Sequence, residues 1–179
     1  MVLRPLGKPL QRRSPDVHEN LMAAAQCLEA AMRRVLSGTG VEEVTAGGEF
    51  TLPAFRPTLF PGAVYGFAAN LSQADLKALI DEARHRKLSR VSRLEDVHPI
   101  EGTLYPLYWG KDKHLGARPY QHLNDPRKTG AIRLSTYKAL HGKPIACVSL
   151  VVSDYAAAER ILRTAYPDML KTSTKRQST

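Results

Sequence analysis

The chain has 179 residues, 26 Lys and Arg against 17 Asp and Glu, and a formal net charge of +9. Its apolar share of 43% and charged share of 24% are ordinary for a globular protein, which argues against wholesale disorder. The positive balance makes polyanions the first partners to expect, nucleic acid ahead of acidic membranes.

Cys27 and Cys147 are far apart and form no metal-binding or disulfide spacing, which suits a reducing compartment. No apolar run approaches the roughly 18 residues of a membrane span. Arg4, Lys8, Arg12 and Arg13 have no apolar segment behind them, so the start does not read as a secretory signal. The expected location is cytoplasmic, with export by a signal-less route left open.

Residues 1–15, rich in Pro and basic side chains, read as extended. Ser14-Pro15-Asp16 opens a helix to about Leu36, on which Leu21, Leu28, Met32 and Val35 recur at helical spacing before Gly38 and Gly40 stop it. The prolines at 53, 57 and 61 mark loop, with a soft domain boundary near Pro57. Gly62–Ala69 reads as a strand with Ala63, Tyr65 and Phe67 on one face. Ser72 and Asp75 resemble a capping box for a helix lined by Leu76, Leu79, Ile80 and Ala83.

Arg84–Arg93 follows, with Arg84, Arg86, Lys87, Arg90 and Arg93 and no acid. A strand is expected over Thr103–Trp109, a helix within Leu115–Leu123 and another around Ala131–Leu140. Ile145–Val152 reads as a buried strand, and Ser153-Asp154 cap a last helix that runs to about Tyr166 and stops at Pro167. The tail, Lys171–Thr179, reads as disordered. These elements make an α/β chain: a small, mainly antiparallel sheet of three or slightly more strands, flanked by helices, with a helical N-terminal extension over 1–57.

Three segments carry the chemistry: Pro61-Gly-Ala-Val-Tyr65, then Tyr108-Trp-Gly-Lys-Asp-Lys-His-Leu-Gly-Ala-Arg118-Pro-Tyr-Gln-His122, then Ala158-Glu159 through Tyr166-Pro167. Together they resemble the GIY-YIG nuclease family over roughly residues 58–170. The first looks like its "GIY" strand and Tyr108-Trp109-Gly110 like its "YIG". Arg118 and His122 stand at the places of its helix arginine and of the His or Tyr one turn later, and Glu159 at that of its helix glutamate. This chain departs from the pattern in three places. Gly66–Leu107 separates the two tyrosine motifs, with an insertion at about 71–100; Leu170 stands where the family often carries Asn; and Pro119 requires the arginine's helix to begin near Gly116. Tyr105, three residues from Tyr108 on one strand, is expected on the opposite face.

The resemblance implies a metal-dependent DNA endonuclease acting on double-stranded DNA. Tyr65 would be the general base for the attacking water, supported by Tyr108 and His122. Arg118 would clamp the phosphate, and Glu159 would be the single protein ligand of Mg²⁺ or Mn²⁺. Such a role suits these residue types. A phenol of pKa about 10 needs a nearby cation, for which Lys111 and Lys113 are candidates, and guanidinium donors match phosphate. Mg²⁺ accepts one carboxylate with waters and substrate oxygens completing its shell. Arg86, Lys87, Arg90 and Arg93 are candidates for tracking the DNA backbone. Taken singly, the same residues read as half-buried strand aromatics, a packing histidine and surface ion pairs, Glu159 with Arg163 among them. Two other readings stay open: a DNA-binding module of the same fold whose metal site has decayed, and a basic adaptor whose helix 16–36 docks on a partner.

Overall fold

The computed structural model describes residues 15–44, 62–113, 117–123 and 130–172. The Pro57 boundary, the extended N-terminus and most of the basic tail lie outside these residues.

The sequence between Pro61 and Leu71 alternates small and large apolar side chains, and it forms the central strand β1, Ala63–Asn70. Antiparallel neighbours flank it, β2 (Leu104–Asp112) on one side and β3 (Ile145–Val151) on the other, giving the order β2-β1-β3. The expected three-stranded antiparallel sheet is therefore present, with strand ends shifted by at most three residues.

Among the described residues four helices cover the sheet: α1 (Pro15–Leu36), α2 (Gln73–His85), α3 (Ala117–Leu123) and α4 (Tyr155–Ala165). Helix α2 starts at the reciprocal pair Ser72 and Asp75, in which the Ser72 amide donates to Asp75 at 3.0 Å and the Asp75 amide to the Ser72 hydroxyl at 3.3 Å. Helix α4 starts at Asp154, whose carboxylate accepts from the amides of Ala156 and Ala157 at 3.0 and 2.8 Å.

The pleat sorts the strand residues into two cores. Tyr65, Phe67, Tyr105 and Tyr108 pack with Leu76, Leu79 and Ile80 of α2 and with Ile132, Leu134 and Tyr137. Val64, Ala68, Trp109 and Leu150 pack with Leu28 and Met32 of α1 and with Ala158 and Leu162 of α4. The apolar stripe of α1 thus lies against β3 and α4. That burial takes away the face the adaptor reading would use.

Three expectations require correction. Ile145–Val151 is an edge strand with Cys147 and Ser149 exposed, not a buried one. Phe67 pairs with Tyr108 but Ala68 pairs with Pro106, so Leu107 is an extra residue in β2. The bulge resets the alternation and turns Tyr105 to the same core as Tyr65 and Tyr108, not to the opposite face. Pro106, which has no N–H to give a ladder, was the visible sign of it. Around residues 131–140 there is no α-helix. Arg133 adopts a left-handed backbone (φ 62°), and two 3₁₀ turns follow, Leu134–Thr136 and Lys138–Leu140. Leu134, Tyr137 and Leu140 recur every three residues, a spacing that 3₁₀ turns satisfy as well as a helix does.

The outer edge of β2 is covered by the chain itself. The amides of Met169 and Leu170 donate to the carbonyls of Pro106 and Leu107 at 3.2 and 3.0 Å, and Ser89 in turn bridges to Leu170. Leu170, at the position where the motif often carries an asparagine, is fully buried in the tyrosine-side core. An open strand edge next to a functional face would invite pairing with another chain, and this cover prevents it.

Candidate active site

Two glycines make room for two aromatic rings. Tyr65 and Gly110 are direct partners across the β1–β2 ladder, and so are Gly66 and Trp109. A Cβ on Gly110 would meet the Tyr65 phenol at 2.3 Å, and one on Gly66 would meet the Trp109 ring at 2.2 Å. The Tyr65 phenol therefore lies over the bare Cα of Gly110 on one face, while the Trp109 indole lies over Gly66 on the other. Gly62 does the same for Tyr155 at the start of α4.

On the tyrosine face three rings converge. The centroid of Tyr65 is 6.3 Å from that of Tyr108 and 6.0 Å from that of His122, and Tyr108 and His122 are 4.8 Å apart. Helix α3 delivers His122, and the buried Asp112 at the end of β2 receives the Arg118 amide at 3.2 Å near the start of that helix. The Arg118 guanidinium is held by Gln121 at 2.7 Å.

Burial raises the pKa of Tyr65 well above that of a free phenol, and Tyr108, Asp112 and Glu159 push it the same way, while Arg118 pulls it down. Burial likewise raises Tyr108, against the pull of Arg163. Four of the five expected catalytic residues, Tyr65, Tyr108, His122 and Arg118, thus surround one site. The fifth, Glu159, pairs with Lys111 and Arg163 on the α4 side, and its charge raises the pKa of both phenols.

His122 is fully buried, and its Nδ1 accepts the Ile132 amide at 3.0 Å. That bond requires an unprotonated Nδ1, so the neutral ring carries its hydrogen on Nε2. Nε2 finds no partner among the described residues. Burial, reinforced by Arg118, lowers the pKa of His122 to about 4. An unfolded His titrates near 6.5, so the unfolded state binds the extra proton first. Stability due to His122 is therefore complete above pH 6.5 and is lost as pH falls from about 6.5 to about 4. We expect denaturant unfolding to show a loss on the order of 3 kcal/mol across that window. A His122→Asn variant, which keeps an acceptor for Ile132 but cannot charge, should lack this component. Parallel pH curves for the two proteins would refute this account of His122.

Glu159 does not make the exposed helix pair of the simplest reading. It is 8% exposed, and both oxygens face cations: Arg163 at 2.8 Å on Oε1 and Lys111 at 3.4 Å on Oε2. Sequence reasoning missed Arg163 as anything beyond that pair. Its guanidinium stands 5.4 Å from the Tyr108 ring centre, donates to the Trp109 carbonyl at 2.6 Å and meets Asp168 at 3.2 Å. Asp168, 2% exposed, also accepts the Trp109 amide at 3.2 Å and faces Arg90 at 3.0 Å. Burial raises its pKa despite these donors.

The basic arm divides. Arg86 is spent on Glu82, on Thr136 and on the Tyr137 ring, 4.2 Å away, and Arg90 on Asp168 and the Leu170 carbonyl. Arg93 faces Glu95 at 3.0 Å in an exposed pair. Lys87 takes a left-handed backbone (φ 56°) just after α2, and Lys113 is exposed beyond β2. The acids that hold the arm come from outside Arg84–Arg93, which is why the run itself looked unpaired.

Among the described residues no three His, Cys, Asp or Glu side chains form a metal-binding group. A divalent ion here would rest on Glu159 alone, an arrangement Mg²⁺ accepts when water and substrate oxygens complete its shell. Glu159 fits it through Oε2, because Lys111 is 48% exposed and can swing into solvent.

No protein-family model, no curated protein and no solved structure matches the chain.

Proposed function

We propose that the protein is a metal-dependent endonuclease that hydrolyses phosphodiester bonds of double-stranded DNA. The observation that supports it most is the convergence of a second tyrosine and a neutral histidine on one buried phenol, Tyr65, with Arg118 and Glu159 bearing on its charge. Core packing alone has no use for that set of charges.

Glu159 would hold Mg²⁺ or Mn²⁺, which when bound supplies positive charge to the phosphate and to the departing oxygen. Arg118, held by Gln121, offers planar donors to a phosphate oxygen. Tyr65 takes the proton of the attacking water as general base. The Nε2–H of His122 remains available to the oxygen that becomes anionic between the tyrosines. Arg163 keeps Glu159 and Tyr108 in register from the other side of β2.

Burial keeps Tyr65 protonated at neutral pH, so only a small fraction serves as base. Cleavage should accelerate about tenfold per pH unit from about pH 6 to 9, and Tyr65→Phe should abolish it. The assay is relaxation of supercoiled plasmid with Mg²⁺ against a chelator control. A flat pH profile would remove Tyr65 from the base role. The doubly paired Glu159 favours one second reading, a DNA-binding module of the same fold. Folded protein that binds plasmid and cuts it with neither Mg²⁺ nor Mn²⁺ would decide for that module.

A further inference from the structure

The two oxygens of Glu159 are held in unequal ways. On Oε1, Arg163 is itself immobilised by Asp168 and by the Trp109 carbonyl, so that contact is part of the framework. On Oε2, Lys111 reaches across from β2 with its side chain 48% exposed, and among the described residues it has no other ionic partner. Trp109 and Lys111 alternate onto the α4 side of β2, and the indole N–H anchors to the Tyr166 carbonyl at 2.7 Å. That anchor at the end of α4 places Lys111 beside Glu159, about two turns before it.

We propose that Lys111 is a built-in rival for the divalent metal, occupying the one Glu159 oxygen the metal can take, so that metal enters only by displacing the ammonium. This rests on Glu159 being the metal ligand. Two consequences follow from charge. Before metal arrives, Lys111 neutralises a carboxylate that would otherwise repel DNA phosphate. When metal binds, the released ammonium is set free at the mouth of the site, where an incoming phosphate can receive it. An ion pair open to solvent on its lysine side is weak, so a doubly charged ion can displace it, at a cost in affinity.

The test is direct metal binding, without DNA. Mn²⁺ is titrated into the full chain and free Mn²⁺ is read from its electron paramagnetic resonance signal. Lys111→Met should tighten binding about threefold to tenfold, with Lys111→Gln close behind it. Lys111→Arg should stay near wild type, because it restores a cation to Oε2. Lys113→Met removes the same charge two residues on and should change little. Equal affinity in wild type and Lys111→Met would overturn the rivalry while leaving the metal site intact. An equal gain in Lys113→Met would overturn it too, reducing the effect to overall charge. Mn²⁺ binding that survives Glu159→Gln unchanged, or is missing from every variant, would overturn the metal site and the rivalry together.

Discussion

A Glu159→Gln variant should lose plasmid cleavage by at least about a hundredfold while keeping its grip on DNA. The shape of the side chain is retained, and its amide oxygen can still accept from Arg163, which Asp168 and the Trp109 carbonyl hold in place independently. Lys111 turns to solvent, where it is already half exposed. The expected cost in stability is therefore small, about 1 kcal/mol or less, and a melting curve measured alongside separates misfolding from lost chemistry. DNA affinity should hold or rise slightly, since an anion has been removed from a phosphate site. A variant that cuts as fast as a cutting wild type would end the mechanism, whatever DNA the protein prefers.

How far the sequence reveals this site depends on the range of each interaction. The strands and the capped helices α2 and α4 rest on local patterns, and they were legible from alternation in β1, from the apolar run of β3, from Ser72 with Asp75 and from Asp154. The grouping of Tyr65, Tyr108, Arg118 and His122 was legible because motif spacing carries it. Two things were not. The bulge at Leu107 changes the face of Tyr105, and only Pro106 hinted that simple alternation would fail there. The fate of the charges was also hidden. Arg163 and Glu159 look like a solvent pair by spacing, yet the C-terminal segment along β2 brings Asp168 to Arg163 and buries the cluster. Arg90 looked available to a polyanion until the same segment supplied its acid. Tertiary neighbours decide such pairings, and one-dimensional spacing does not contain them.

Placing a methyl on Gly110 should disturb both fold and function, because the strand's bare Cα is the floor on which Tyr65 lies. The added Cβ would stand 2.3 Å from the phenol, and the ring, 1% exposed, has Phe67, Tyr108 and His122 around it. It cannot withdraw without moving them. Gly110→Ala should therefore cost about 1–3 kcal/mol or more in denaturant unfolding and remove cleavage with it. Shortening the ring to Tyr65→Leu leaves a cavity and by itself costs about 2–4 kcal/mol, but it also takes away the atoms that collide. The double variant should be more stable than the sum of the two losses predicts, by about 1 kcal/mol or more. Gly66→Ala is the control: its Cβ meets Trp109 at 2.2 Å on the opposite face, so Tyr65→Leu should give it little relief. Strict additivity of Gly110→Ala with Tyr65→Leu would mean that the phenol does not rest on Gly110, and the placement of Tyr65 in the site would have to be given up.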